Sequence, residues 1–265
     1  MGQQVVVDNR PGAGGIVATG IVAKALADGY TLLMVAPGHA VNATLYEKLP
    51  YDTLHDFAGI SLVARVPSVL VVAPSLGVKN VRELIALAKQ KPGVLNFASP
   101  GVGSGGHLAA EQFKLSAAID VVHVPYKGTP EALTDVIAGR AQFFFAPLGA
   151  ALPLIRDGRV PALAVSTAKR SPALPDVPSI AEAALRGFAI DFWYGLLAPR
   201  ATSRRIIQQL ALEVQRTLDM PEVRERLAAQ GAIPDPLPGE KFDAFLKSEV
   251  ARMAILVKAS GAKPE

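Results

Sequence analysis

The stretch Asn96–Phe113, NFASPGVGSGGHLAAEQF, holds the residues of this sequence that could do chemistry. Four of its glycines fall within six residues, between a short apolar run and a helical pattern. Consecutive amides of such a turn can surround an anion, and the following helix adds its positive N-terminal partial charge. One interpretation is therefore an anion cradle, in which a carboxylate accepts from Ser99, Gly103, Ser104 and Gly105.

A nucleotide site is a second interpretation of the same loop. Gly101-x-Gly103-x-x-Gly106 matches the dinucleotide fingerprint, follows a predicted strand and opens a predicted helix. The next strand, however, ends in Pro125-Tyr126-Lys127 and lacks the acidic residue that would hold the ribose. A phosphate-binding P-loop is excluded, because His107 follows the last glycine where that motif requires lysine.

Two further interpretations stay open. Ser104 could be a nucleophile with His107 or His123, although Val102 stands where a GxSxG elbow has its first glycine. The loop could also be a tight turn that only lets the helix pack on its strand.

A single loop at a helix N-terminus contributes roughly 0.3 to 1 kcal/mol to anion binding through the helix dipole, whereas micromolar affinity needs about 8 kcal/mol. An anion site here would therefore need contacts from other segments.

Neighbouring strand ends supply those candidate contacts, since such turns line one crevice in an open α/β sheet. The candidates are Tyr126, Gly128 and Thr129 at the next turn, Pro147 after AQFFF, His39 and Asn42 after the strand Tyr30–Ala36, and Trp193 with Tyr194 at a chain crossing. Thr129 is equally suited to cap a helix. Trp193 is equally suited to pack between lobes.

Composition limits the classes of function. The chain has 265 residues, half of them apolar, and a net charge of +4 with scattered basic residues. This is a globular composition that can form two lobes, and it lacks a basic stripe for nucleic acid. There are no cysteines, no HExxH spacing and no apolar run of membrane-spanning length. We expect no metal, no cofactor, no membrane insertion and no enzymatic reaction.

Strands alternate with helices along most of the chain, which predicts an α/β fold with largely parallel sheets. Predicted strands are Val5–Asp8, Tyr30–Ala36, Ser68–Ala73, Leu95–Ser99, Asp120–Tyr126, Ala141–Ala146 and Ala162–Ser166. From Arg200 onward the pattern is helical, with little strand expected.

Seven ordered segments resemble the Bug family, the receptors of tripartite tricarboxylate transporters. They are VVVDNRPGAGG, ADGYTLLM, LYEKLPYD, NFASPGVGSGGHLAAE, VPYKGTPEALTDVIAG, ALAVSTAKRSPALPDVPSIAEA and YGLLAPR. The resemblance implies a type II periplasmic-binding-protein fold, with two α/β/α lobes, a hinge and a central cleft. It also implies a monomeric periplasmic protein that binds a small carboxylate and delivers it to a membrane permease.

This interpretation places lobe 1 at residues 1–66 plus 196–265 and lobe 2 at 67–195. The family pattern also includes a signal peptide and a first strand-loop-helix before VVVDNRPGAGG, which this sequence does not show. We expect lobe 1 to lack a central strand, and a form without the signal peptide to stay in the cytoplasm. Two alternatives remain: a nucleotide-dependent oxidoreductase using Gly101–Gly106, and a truncated relative that binds nothing.

Overall fold

The computed structural model describes residues 4–10 and 12–262, without the side chain of Ala13. These residues form two compact units. The first comprises the described residues within Met1–Arg65, Trp193–Arg226 and Ile233–Pro264, and the second those within Val66–Phe192 and Leu227–Ala232. The chain passes between the units four times: within two long strands, near the end of one helix and at the start of the last strand.

The first unit has a sheet in the order β1-β7-β2-β8. Its strands are β1 (Leu33–Val35), β7 (Asp191–Pro199), the first part of β2 (Phe57–Val72) and β8 (Ile233–Pro238). Its helices are α1 (Ile16–Ala23), α2 (Pro37–Leu45), α8 (Arg204–Asp219), most of α9 (Pro221–Ala229) and α10 (Glu240–Ser260).

The second unit has a sheet in the order β6-β2-β5-β3-β4. Its strands are the end of β2, β3 (Asn96–Ser99), β4 (Val122–Pro125), β5 (Phe143–Pro147) and β6 (Ala162–Val165). Its helices are α3 (Val81–Gln90), α4 (Gly105–Ala117), α5 (Thr129–Ile137), α6 (Leu148–Arg156) and α7 (Ile180–Ala183). The consecutive phenylalanines of β5 are fully buried in this unit.

The α/β class is confirmed, but the sheets are mixed and not largely parallel. Strand β3 is parallel to β4 and to β5. The pairs β1–β7, β2–β5, β2–β6 and β2–β8 are antiparallel. The prediction of parallel sheets failed because alternation of strands and helices does not reveal a long strand such as β2, which pairs in both units.

The predicted strand Val5–Asp8 is wrong. The chain there is extended without ladder pairing, and Val5, Val6 and Val7 are 77%, 84% and 79% exposed. A run of valines favours a strand only where a neighbouring strand and a buried face are available. Asp8 forms an exposed ion pair with Arg10 at 2.9 Å.

Several elements of the first unit, among them β7, β8 and α2, were not predicted from the sequence. Strand β8 reads IPDPLP, and its prolines argue against a strand unless it lies at a sheet edge. It pairs with β2 alone. Helix α2 begins at Pro37, in the first-turn position that proline favours.

The observed units also differ from the predicted lobe boundaries. Leu227–Ala232 groups with the second unit, because the backbone around Gln230 lies against Gly149 and Gly231 lies against Leu148. Trp193–Gly195 groups with the first unit. In the second unit, Asn80 is the N-cap of α3, since its side chain accepts from the Glu83 amide at 3.0 Å.

Candidate functional site

The carboxyl ends of three parallel strands meet at one edge of the second unit. Ser99 at the end of β3 lies opposite Pro125 at the end of β4, and β5 lies on the other side of β3. Each strand leads through a turn into the N-terminus of a helix: α4, α5 or α6. This edge is where open α/β sheets bind ligands, and helix N-termini there favour anions.

Each glycine of the loop between β3 and α4 has a structural reason. Gly101 and Gly103 have φ of 111° and 74°, which side-chain-bearing residues rarely adopt. A Cβ at Gly105 would overlap the ring of Phe192, and one at Gly106 would lie 2.7 Å from Phe144 Cε2. Chain geometry and close packing thus explain the glycines without any ligand.

The two serine hydroxyls form hydrogen bonds within the loop. Ser104 Oγ donates to the Gly101 carbonyl at 2.6 Å and accepts from the His107 amide at 3.4 Å, which makes it the N-cap of α4. Ser99 Oγ accepts from the Gly101 amide at 3.1 Å. It also lies 3.0 Å from the Gly101 carbonyl and 2.6 Å from His123 Nε2.

Two histidines flank this loop. His107, in the first turn of α4, accepts from the Gly103 amide through Nδ1 at 3.2 Å. Its ring centroid lies 4.2 Å from that of His123, and both rings stack on Phe97 of β3. From the sequence, these histidines were expected only as possible partners of a nucleophile. The Ser104-x-x-His107 spacing, which joins a cap to the third residue of its helix, could have indicated their structural role.

Burial determines the protonation state of His107. Desolvation, followed by the charges of His123 and Lys114, lowers the pKa of His107 to about 3. Burial also raises the pKa of Glu111, whose Oε1 lies 3.9 Å from His107 Nε2. The imidazole is therefore neutral at physiological pH, and the contact with Glu111 is not an ion pair.

The remaining donors of the loop are the first amides of α4. Gly105 and Gly106 occupy the first two helical positions, where an α-helix provides no acceptor for the N–H groups. An open depression of about 470 Å³ in the same unit is lined by Pro125, Tyr126, Lys127 and Glu131. Its volume is in the range of small-molecule sites.

The other predicted residues of the second unit lie at the same sheet edge. The Tyr126 hydroxyl donates to Asp135 Oδ2 at 3.0 Å, and Asp135 pairs with Arg140 at 2.7 Å. Gly128 is the N-cap of α5, so the predicted cap role of Thr129 is wrong, since Thr129 is already helical. Pro147 ends β5 and precedes α6.

Two candidates of the first unit, His39 and Asn42, belong to helix α2 and are buried. Asn42 Nδ2 donates to the Gly14 carbonyl at 3.0 Å and so fixes the turn before α1. His39 stacks on Tyr51 with centroids 6.0 Å apart, and desolvation lowers its pKa to about 4.

Trp193 and Tyr194 point to opposite sides of β7. Trp193 is 1% exposed and donates from Nε1 to Glu249 Oε2 at 2.9 Å, while Phe242 and Phe245 pack edge-on against its ring. Tyr194 is 43% exposed. Packing against α10 therefore accounts for Trp193 without a ligand.

Comparison with known proteins connects this geometry to a family. The family model described as "Tripartite tricarboxylate transporter family receptor" matches residues 1–262. The chain belongs to this family. The predicted resemblance to the Bug receptors is thus confirmed.

Solved relatives extend the match to the fold. A Rhodopseudomonas palustris protein, Rpa4515 with adipate, is 37% identical with a TM-score of 0.87, covering 100% of this chain and 89% of its own. The periplasmic binding protein BugD is 30% identical with a TM-score of 0.86, again covering 100% and 89%. MatC of the same R. palustris, with malate, is 31% identical with a TM-score of 0.80, covering 93% and 85%. The receptor therefore has the two-lobe periplasmic-binding-protein fold.

The described residues contain neither a metal-ligating cluster nor a membrane-spanning helix. No group of three or more metal-ligating side chains occurs among the residues that the structure describes. Within the same residues, no helix is both long enough and apolar enough to cross a membrane.

Proposed function

We propose that this receptor binds a small carboxylate at the turn between β3 and α4 and delivers it to the permease of a tripartite tricarboxylate-type transporter. One observation supports the ligand class most strongly: the amides of Gly105 and Gly106 begin a helix at the carboxyl edge of a sheet. Such amides match an anionic oxygen, and the helix dipole adds to the attraction.

Relatives support the same chemical class. Rpa4515 was solved with adipate and MatC with malate, and both are small dicarboxylates. Backbone amides recognise any carboxylate group, so they define the class of ligand and not its identity. The rest of the ligand must then select among acids, and the depression beside Tyr126 and Lys127 is a candidate for that role.

Further candidate contacts are the other residues predicted from the sequence. Within the second unit these are the turn residues Tyr126, Gly128, Thr129 and Pro147. Within the first unit they are His39, Asn42, Trp193 and Tyr194. The burial of Trp193 and His39 argues for support of the surrounding structure, whereas the exposed Tyr194 can contact a ligand directly.

The receptor acts by binding and release, without a reaction, as a periplasmic monomer. Family membership and the relative described as a periplasmic binding protein support the binding role and the periplasmic location.

Titration calorimetry with adipate and malate tests the proposal. The matched controls are the diamide of adipic acid, which lacks negative charge, and NAD, which tests the dinucleotide alternative. We expect at least one dicarboxylate to bind with micromolar or tighter affinity, about 8 kcal/mol or more. Equal binding of acid and diamide, or saturable binding of NAD alone, would contradict the proposal.

A further inference from the structure

In the β3–α4 turn, several of the donors predicted to bind a ligand already donate hydrogen bonds to acceptors of the protein itself. A serine hydroxyl carries one proton. The Ser104 proton is used on the Gly101 carbonyl, because a carbonyl cannot donate. The Ser99 proton goes to the Gly101 carbonyl or to His123 Nε2, and both acceptors belong to the protein.

The Gly103 amide also donates a hydrogen bond within the protein, and its acceptor is a histidine nitrogen. Nδ1 of His107 can accept this N–H only while it carries no proton. In the neutral imidazole the proton then resides on Nε2, on the side of Glu111. The buried position of His107 favours this neutral form.

We propose that His107 is a positioning residue, which as a neutral acceptor fixes Gly103 and thereby directs the free amides of Gly105 and Gly106 toward the carboxylate. Ser104 acts with it by donating to the Gly101 carbonyl, and Ser99 by accepting from the Gly101 amide. Ligand contact then falls on the helix amides and not on the serine hydroxyls or the Gly103 amide. This inference rests on the proposed function for its ligand and on hydrogen bonding alone for its geometry.

The charged and titratable groups around His107 are Glu111 and Lys114 on its own helix and His123 on β4. Phe97 of β3 provides an apolar face. Protonation of Nδ1 would break the bond from Gly103, so the loop geometry depends on a neutral imidazole.

Nitrogen-15 NMR of the wild-type protein without ligand tests the geometry directly. A hydrogen bond between two nitrogens transmits a scalar coupling, so we expect a coupling between the Gly103 amide nitrogen and His107 Nδ1. The ring shifts should show Nδ1 unprotonated and Nε2 protonated. An absent coupling, or a proton on Nδ1 at pH 7, would overturn the proposal without any variant having to fold.

Two substitutions of His107 distinguish the effect of losing the hydrogen-bond acceptor from the effect of losing the ring. In His107→Asn the side-chain oxygen can stand where Nδ1 stood, whereas His107→Leu fills similar space without an acceptor. Hydrogen exchange of the Gly103 amide should stay slow in His107→Asn and become faster in His107→Leu, with adipate and malate absent. Equal exchange rates in the two folded variants would overturn the proposal.

Affinity for adipate and malate provides the functional readout. Loss of the acceptor for the part-buried Gly103 amide leaves that amide unpaired. His107→Leu should therefore bind the better of the two acids at least about tenfold more weakly, and His107→Asn within about threefold of wild type. His55→Asn is the control, because His55 has an 82% exposed side chain. Equal losses in His107→Asn and His107→Leu would contradict positioning by an acceptor. If wild type binds neither acid, the proposed function fails for these probes, while coupling and exchange still decide the role of His107.

Discussion

Acidification should destabilise this receptor more than most proteins of its size, because each unit contains a buried neutral histidine. Burial lowers the pKa of His39 to about 4 and that of His107 to about 3, both from the ordinary histidine value of 6.5. The unfolded chain therefore binds protons that the folded chain cannot bind. The corresponding stability is fully present above pH 6.5, decreases as the pH falls below it, and is lost completely only below the folded pKa values.

The magnitude follows from the two pKa values of each histidine. Between pH 7 and pH 5, each should contribute about 2 kcal/mol of lost stability, and the two together about 4 kcal/mol. Glu111 and Asp243 act in the opposite direction, because burial raises their pKa values and the folded chain takes up their protons earlier. Comparison of wild type with single-histidine variants removes this common contribution.

Urea denaturation from pH 5 to pH 7.5 measures the effect. His39→Phe keeps the aromatic contacts with Tyr51 and Phe57, and His107→Asn keeps an acceptor for Gly103. Between pH 7 and pH 5, the free energy of unfolding of each variant should fall by about 2 kcal/mol less than that of wild type. The exposed control His55→Asn should follow wild type. Parallel pH profiles for wild type and both variants would refute the assignment of buried neutral histidines.

Three other substitutions test the packing and the caps. Gly105→Ala should destabilise the protein by about 1 to 3 kcal/mol, because its methyl group would overlap the ring of Phe192. The control Gly38→Ala, whose methyl group would lie 4.0 Å from the Gly14 carbonyl oxygen, should be neutral or stabilising in thermal denaturation. Trp193→Phe removes the donor to Glu249 and should cost about 1 to 3 kcal/mol with unchanged carboxylate affinity, and reduced affinity at full stability would contradict the packing role. Asn80→Ala should lower stability by about 1 kcal/mol in urea denaturation, and no loss would argue against its cap.

The fold class was predictable because its signals are local and repeated. The run AQFFFA became the buried strand β5, and Asn80 and Ser179, of residue types that favour helix N-caps, begin helices. Predictions failed where the outcome depends on a distant partner. Val5–Val7 has the composition of a strand but no neighbouring strand in the described chain, whereas β8 is a strand despite its prolines.

The candidate site was predictable as a place but not as a set of contacts. Glycine spacing and the preceding strand indicated the β3–α4 turn, and the structure brings Ser99, Ser104 and Tyr126 to that edge. Sequence spacing could not show that hydroxyl protons are used on the Gly101 carbonyl, or that His107 accepts from Gly103. These hydrogen bonds depend on side-chain directions that arise only when β4 and α4 pack together.

Backbone amide NMR during titration with adipate and malate tests the central claim most directly. The account predicts saturable binding of at least one of them, with the largest amide shifts at Gly105 and Gly106 and with the Gly103-to-His107 hydrogen bond retained. Saturable binding that leaves both amides unshifted would contradict the carboxylate site at the start of α4.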